Sequence, residues 1–302
     1  MIIPCKEIAQ EIENNLRSRT ANLRSNGSIP KLVTILLGSA PEQLSFVKIK
    51  ERLAHKLDIE FEFIHIPEVP PLDEFLKKLD GIAQDSKTTG IIVQHPLPPG
   101  YDHDEIFKHM SVTQDIEGHK PHSPFIFPLA LSALTGLKYV LNQTSAGTVG
   151  IGSENTGTGD ADRSIVHFQK DTLFFAKHLQ GKNVVIAGRG ATGGGPIAAA
   201  LGKIGARYTM THSQTVDPDE IYSQADVIIA ATGKHIITSE NIKEGVILLN
   251  VGLRKKDGKL RGDYEEGDID LKASWYNKTP GGLGPIDVLY LYSNLLDSIK
   301  IK

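Results

Sequence analysis

The sequence predicts an α/β protein built as two domains, and three observations carry that expectation. At 302 residues the chain exceeds what a single hydrophobic core comfortably serves. Short apolar runs alternate with segments of helical period through both halves, the pattern of parallel βαβ units. Residues 183–201 read NVVIAGRGATGGGPIAAAL, a buried strand, a glycine turn and an alanine-rich helix in that order.

Taken along the chain, residues 5–26 carry Ile8, Ile12, Leu16 and Leu23 at helical spacing and stop at Asn26-Gly27. KLVTILLG (31–38) is a continuous apolar strand ending in glycine. PEQLSFVKIKERLAHKLDI (41–59) is helical, with Leu44, Val47, Leu53 and Leu57 on roughly one side. FEFIHI is a strand, PLDEFLKKLDGIAQ a helix, and TTGIIVQHPLP a buried strand that runs into a proline-rich turn. In the second half NVVIAG, RYTMTH, ADVIIAAT (225–232) and VILLNVG (246–252) are strands with helices or loops between them, and PIDVLYLYSNLLDSIKI closes the chain as a helix. TSAGTVGIGSENTGTGDAD (144–162) has almost nothing to bury and reads as a long polar loop, a surface insertion near 142–166.

Bulk properties exclude several classes. With 40% hydrophobic and 23% charged residues and a net charge of −3, the chain offers neither a basic surface for nucleic acid nor an attraction to membranes. No apolar run reaches the roughly 18 residues of a membrane span. The start MIIPCKEIAQEI is not a secretion signal, so a cytoplasmic location is expected. Cys5 is the single cysteine, which excludes an internal disulfide and any cysteine-based metal site; no metal is expected.

The glycine turn is the first functional signal. Val184, Val185 and Ile186 form a strand buried on both faces, and Gly188, Gly190 and Gly193 follow at the spacing G-x-G-x-x-G. Pro196 is tolerated in a first helical turn, where its missing N–H costs nothing. Glycines let the backbone approach a pyrophosphate, and the free N–H groups of a helix start favour the anion. A tight turn with no ligand is the plainer alternative. The next strand, within 207–215, ends in His212-Ser213-Gln214-Thr215 without the acid that meets ribose hydroxyls in NAD-binding units. Arg189 in the turn and Ser213 at the strand end suit a 2′-phosphate, so NADP is the expected cofactor and NAD the alternative. A solvated Arg189 and a turn-capping Ser213 are the bland reading.

Four separated stretches resemble the bifunctional methylenetetrahydrofolate dehydrogenase/methenyltetrahydrofolate cyclohydrolase family. Its S-x-x-Y-V-x-x-K is met by Gln43-Leu44-Ser45-Phe46-Val47-Lys48-Ile49-Lys50, and its V-Q-L-P-L-P by Val93-Gln94-His95-Pro96-Leu97-Pro98. Its K-D-V-D-G is met by Gln114-Asp115-Ile116-Glu117-Gly118, and its P-G-G-V-G-P by Pro280-Gly281-Gly282-Leu283-Gly284-Pro285. Between them AGRGATGGGP, THSQT and NVGLRKKDGKLRGD resemble further family stretches, and the whole set runs in family order.

The resemblance implies a three-layer α/β N-terminal domain over 1–125, completed by 286–302, and a Rossmann-type NAD(P)-binding domain over 126–285. The last helix would cross back onto the first domain, the folate substrate would lie in the cleft between the domains, and homodimers would be typical. It implies that Lys50 is the acid–base group of the hydrolytic step, that Gln94 hydrogen-bonds that lysine or the substrate and holds its orientation, and that Glu117 accepts from the pterin. Phe46, Pro280, Gly281 and Gly282 would line the substrate. Gly188, Arg189, Gly190, Gly193, Ser213 and Thr232 would hold the cofactor. The reaction implied is oxidation of methylene-tetrahydrofolate to the methenyl form, followed by hydrolysis to formyl-tetrahydrofolate.

The departures bear on the second step. The family tyrosine is Phe46, its serine is Gln43, its second aspartate is Glu117, the serine of G-R-S is Gly190, and Asp287 replaces a threonine. The P-C-T-P-x-G motif is not intact; either FIFPLALSAL (125–134) or HFQKDTLFFAKHLQGK (167–182) takes its place. Loss of the tyrosine hydroxyl predicts stronger dehydrogenase than cyclohydrolase activity. A folate- or nucleotide-binding homologue without catalysis, and an NADP oxidoreductase for another small substrate, are the competing readings.

Overall fold

A computed structural model describes residues 1–146 and 164–301. The chain divides into two compact units, one of Glu13–Pro128 with Val288–Lys302, the other of Met1–Ile12 with Leu129–Asp287. The first of the three passages between them falls inside the first helix, α1 (Cys5–Ser25).

The first unit is built on β1 (Lys31–Leu37), α2 (Pro41–Lys56), β2 (Glu60–Ile66), α3 (Leu72–Gln84), β3 (Gly90–Val93) and α4 (His103–Lys108). Its sheet is parallel in the order β2-β1-β3, with Lys31 opposite Glu60 and Ile35 opposite Val93. The central strand β1 is buried from Leu32 onward, which is why its sequence is continuously apolar rather than alternating. Val33, Ile35, Leu37, Ile91 and Val93 meet Phe75, Leu76 and Leu79 of α3 and Ile106 and Phe107 of α4. Strand alternation turns Leu32, Leu36 and Ile92, all sealed from water, to the other face; α2 packs against β1 and β2. Each such fully buried side chain is worth about 1.5–3 kcal/mol.

The second unit contains α5 (Pro128–Ala146), α6 (Phe168–Leu179), β4 (Val184–Ala187), α7 (Gly194–Ile204), β5 (Tyr208–Thr211), α8 (Pro218–Gln224), β6 (Val227–Ala230), β7 (Ile247–Asn250), the hairpin β8 (Arg254–Lys256) and β9 (Lys259–Arg261), α9 (Glu266–Ile269) and β10 (Trp275–Tyr276). Its five-stranded sheet is parallel, in the order β10-β7-β6-β4-β5. Strand order reverses between β4 and β6. Open sheets of this kind bind ligands beyond the carboxyl ends of the strands at such a switch.

The final helix, α10 (Gly284–Ile301), belongs from Val288 onward to the first unit, in agreement with the expected crossing back. Arg19 of α1 reaches Asp297 at 2.7 Å and Ser293 Oγ at 2.9 Å. Gly90 makes room for the helix: a Cβ there would stand 2.7 Å from Leu295 Cδ1 and 2.8 Å from Ile116 Cγ2.

Three details differ from the expectation. The short β10 and the exposed hairpin β8–β9 have too few residues to show a period. Residues 1–3 lie alongside β10, with Ile3 N donating to Tyr276 O at 2.8 Å and Tyr276 N to Met1 O at 3.0 Å, so the amino terminus groups with the second unit and not with 13–125. The expected insertion near 142–166 starts inside α5, which continues to Ala146; residues 147–163, the greater part of the predicted loop, lie outside the described residues. Among the described residues no helix is long and apolar enough to cross a membrane.

Candidate functional site

In the first unit the predicted residues gather around the turn after β3. The buried positions of α2 are Gln43, Val47, Lys50 and Ala54, spaced four, three and four, so Lys50 lies on the inward stripe and is only 9% exposed. Its Nζ donates to Gln94 Oε1 at 2.8 Å, and Gln94 Nε2 donates to the His95 carbonyl at 3.0 Å. Gln43, one of the departures from the family pattern, has a structural use: its Nε2 donates to Pro96 O at 2.9 Å and Gln94 O at 3.4 Å, tying the turn to α2. Phe46 does not share the inward stripe. Its ring is 49% exposed, at the border of the stripe one turn before Lys50.

Glu117 follows a tightly built corner. Asp115, 1% exposed, accepts from Gly118 N at 3.2 Å and Lys120 N at 2.6 Å, and burial raises its pKa. Gly118 holds φ +80°, where a Cβ would come within 2.9 Å of the Phe125 carbonyl oxygen. Burial acts to raise the Glu117 pKa, but the His119 ring, the Lys50 ammonium and His95 outweigh it and bring it down to about 2. Glu117 is therefore a carboxylate at neutral pH, with His119 Nε2 at 3.6 Å from its Oε2. Burial lowers His95, whereas Glu117 more than offsets burial at His119 and raises it.

The last helix sets the height of both segments. Tyr292 Oη donates to the Lys50 carbonyl at 2.6 Å, and Asn294 Nδ2 donates to Ile116 O at 2.8 Å and Ile126 O at 3.1 Å. A buried cation, an amide and a half-buried carboxylate thus stand together, with the Lys50 backbone and the residue before Glu117 held from α10. That set can take or give a proton at the ammonium and accept N–H donors at the carboxylate.

In the second unit the glycine turn leaves β4 at the switch between β4 and β6. Gly188 adopts φ +109°, and a Cβ there would press to 2.7 Å on Ala231 O at the end of β6. The position that tolerates no side chain at all is Gly194, the first residue of α7, whose Cβ would collide with the Gly188 carbonyl oxygen. The close approach of turn and helix thus falls on Gly194, while Gly193 before it caps α7. Gly190 faces open space. Gly188 N donates to Thr211 O at 2.9 Å, and register pairs Ala187 with Thr211, so Arg189 and Ser213 both lie two residues past the same end of the sheet, exposed. An eleven-residue helix start with glycines before it, a cation and a hydroxyl fit a dinucleotide phosphate.

Thr232 is committed within the protein: its N and Oγ1 donate to Asp263 Oδ2 at 2.7 and 2.8 Å. Pro280 and Gly281 are exposed, Gly281 at φ +90°, whereas Gly282 is buried against Lys278 O and Asn277 Nδ2, so only the first two offer a surface.

One grouping has no counterpart in the sequence reading. His95, His103 and His119 bring one ring nitrogen each to within 4.8 Å of one another beside Gln94 and Glu117. The only trace of it in the sequence is a local abundance of histidine, because the spacing matches no ligand motif.

Comparison with known proteins agrees with both units. Residues 3–117 match the catalytic domain, and residues 163–302 the NAD(P)-binding domain, of the tetrahydrofolate dehydrogenase/cyclohydrolase family. The chain is similar to the bifunctional protein FolD of an Exiguobacterium species, with 30% identity over 298 residues and 98% of each chain covered. It is similar to the solved structure of the bifunctional methylenetetrahydrofolate dehydrogenase/cyclohydrolase FolD of Campylobacter jejuni, with 26% identity, a TM-score of 0.81, and 100% and 99% of the two chains covered. The Trypanosoma brucei enzyme, solved with NADP and an inhibitor, shares the fold at 23% identity and a TM-score of 0.75 over 100% and 97% of the chains.

Proposed function

This chain belongs to the tetrahydrofolate dehydrogenase/cyclohydrolase family and works in folate one-carbon metabolism, and from that premise we propose how its own residues divide the two reactions. It oxidises methylene-tetrahydrofolate to the methenyl form with NADP, and hydrolyses the methenyl form slowly to formyl-tetrahydrofolate. We place it in the cytoplasm and, on the family resemblance, as a homodimer.

The observation that carries the reading is the Lys50–Gln94 hydrogen bond of 2.8 Å on a buried helix face, with the Glu117 carboxylate close enough to be stabilised by the same ammonium. Glu117 accepts the N–H donors of the pterin and orients it. Gln94 holds the Lys50 ammonium in one direction. In the hydrolytic step Lys50 moves a proton between the attacking water and the ring nitrogen that leaves, so the C–O bond forms as the C–N bond breaks. Phe46 supplies apolar surface but no hydroxyl, and loss of one acid–base partner commonly costs ~10²–10⁴-fold.

Gly188, Gly190 and Gly193 with the start of α7 would hold the pyrophosphate, and Arg189 and Ser213 the 2′-phosphate that separates NADP from NAD. Bound there, the nicotinamide supplies a hydride acceptor for the methylene carbon.

Purified protein with methylene-tetrahydrofolate and NADP or NAD tests this directly. Methenyl absorbance should rise faster with NADP and decay slowly. Tight folate binding without turnover would instead establish a binding protein, and faster turnover with NAD would overturn the roles of Arg189 and Ser213.

A further inference from the structure

We propose that His95, His103 and His119 form a binding site for one divalent transition-metal ion, Zn²⁺ by ligand chemistry, beside the folate half-site.

Three separate segments of the first unit supply the ligands. His95 follows Gln94 in the turn after β3, His103 is the first residue of α4, and His119 lies two residues past Glu117. Their ligand atoms lie within 4.8 Å of one another, and the ring centroids are 5.4, 5.5 and 4.9 Å apart. Zinc–imidazole bonds of about 2.0–2.1 Å in a tetrahedron place nitrogens roughly 3.3 Å apart, so closure needs movements on the order of 1 Å.

His103 and His119 also pack, tilted or edge-on, against Phe107 and Phe127, and packing alone explains that. It does not explain His95 Nε2, a nitrogen sealed from solvent and without a hydrogen-bond partner. Buried polar atoms are paired with few exceptions, and an ion is one of the partners that resolves such an exception. Each of the other two rings has a carboxylate beside it: His103 Nδ1 lies 3.1 Å from Asp104 Oδ1, and His119 Nε2 lies 3.6 Å from Glu117 Oε2; zinc histidines commonly keep such a partner on the nitrogen that does not ligate. An all-imidazole set suits Zn²⁺ over Mg²⁺ or Ca²⁺, and three protein ligands leave a fourth position for water.

The test is metal binding itself, independent of folate turnover. Full-length protein stripped with a chelator is titrated with Zn²⁺ by calorimetry and with Co²⁺ by visible absorption. One ion per chain is expected, with the d–d spectrum of a tetrahedral cobalt site. His95→Phe, His103→Phe and His119→Phe keep the ring packing while removing the ligand nitrogen, and circular dichroism and thermal unfolding check that they fold. Each should weaken binding by more than the ~10–100-fold that loss of an orienting partner costs. His55→Phe, away from the cluster, should bind normally. Absence of stoichiometric binding, or affinity unchanged in the three variants, overturns the site. Neither result touches the dehydrogenase assay, so the failure of this site is distinct from failure of the proposed function.

Discussion

Lys50 Nζ donates to Gln94 Oε1 at 2.8 Å across 44 positions of chain, joining the buried face of α2 to the turn after β3. The pair is fixed from behind by the Tyr292 hydroxyl on the Lys50 carbonyl. A lysine so placed is positioned rather than merely solvated, and its removal should be felt in chemistry before stability.

Lys50→Met keeps the length and the apolar stem of the side chain and deletes the ammonium. Hydrolysis of the methenyl form should fall by ~10²–10⁴-fold. Single-turnover decay of methenyl absorbance measures it; both activities intact would remove Lys50 from the chemistry.

Phe46→Tyr returns a hydroxyl to an exposed ring one turn before Lys50. Methenyl hydrolysis should rise at least about tenfold, within the range a single acid–base partner contributes. The methenyl intermediate should then accumulate less in the coupled assay. An unchanged decay rate would show that the weakness of the second step lies elsewhere.

Two glycines of one turn should fail differently. Gly194→Ala drives a methyl into the Gly188 carbonyl and should cost about 1–3 kcal/mol in thermal unfolding. Gly190→Ala meets open space and should leave unfolding unchanged while weakening NADP binding, read by fluorescence titration. Equal stability losses would contradict the steric assignment.

Asp226 ties the starts of β4 and β6, accepting from Asn183 N at 2.7 Å and pairing with Lys243 at 2.6 Å. Burial acts to raise its pKa, but Lys243 and the Asn183 amide prevail and lower it. Because the folded pKa is depressed, the stabilisation is complete above the unfolded carboxylate value of about 3.9 and fades as pH falls through the folded one. Asp226→Asn should therefore cost about 0.5–1 kcal/mol at pH 7, discounted for a pair about one-third exposed. The gap from the wild type should close below about pH 4 in urea unfolding. A gap independent of pH would assign the effect to packing.

The sequence by itself determined the order of the longer strands and helices, the glycine turn with its strand and helix, and the ordered motifs that carry the family resemblance. These are local signals: apolar period reports which face meets water, and glycine and proline report backbone torsions, each within a few residues. Only the tertiary structure decided that Gln43 ties the turn after β3, that residues 1–3 pair with β10, that Gly194 carries the close approach of turn and helix, and that three histidines converge. Tyr292 meets Lys50 across 242 positions and Asn294 meets Ile116 across 178. No period spans such separations. They come from which faces the packed sheet and helices bring together, and that is settled only when the apolar surfaces close on one another.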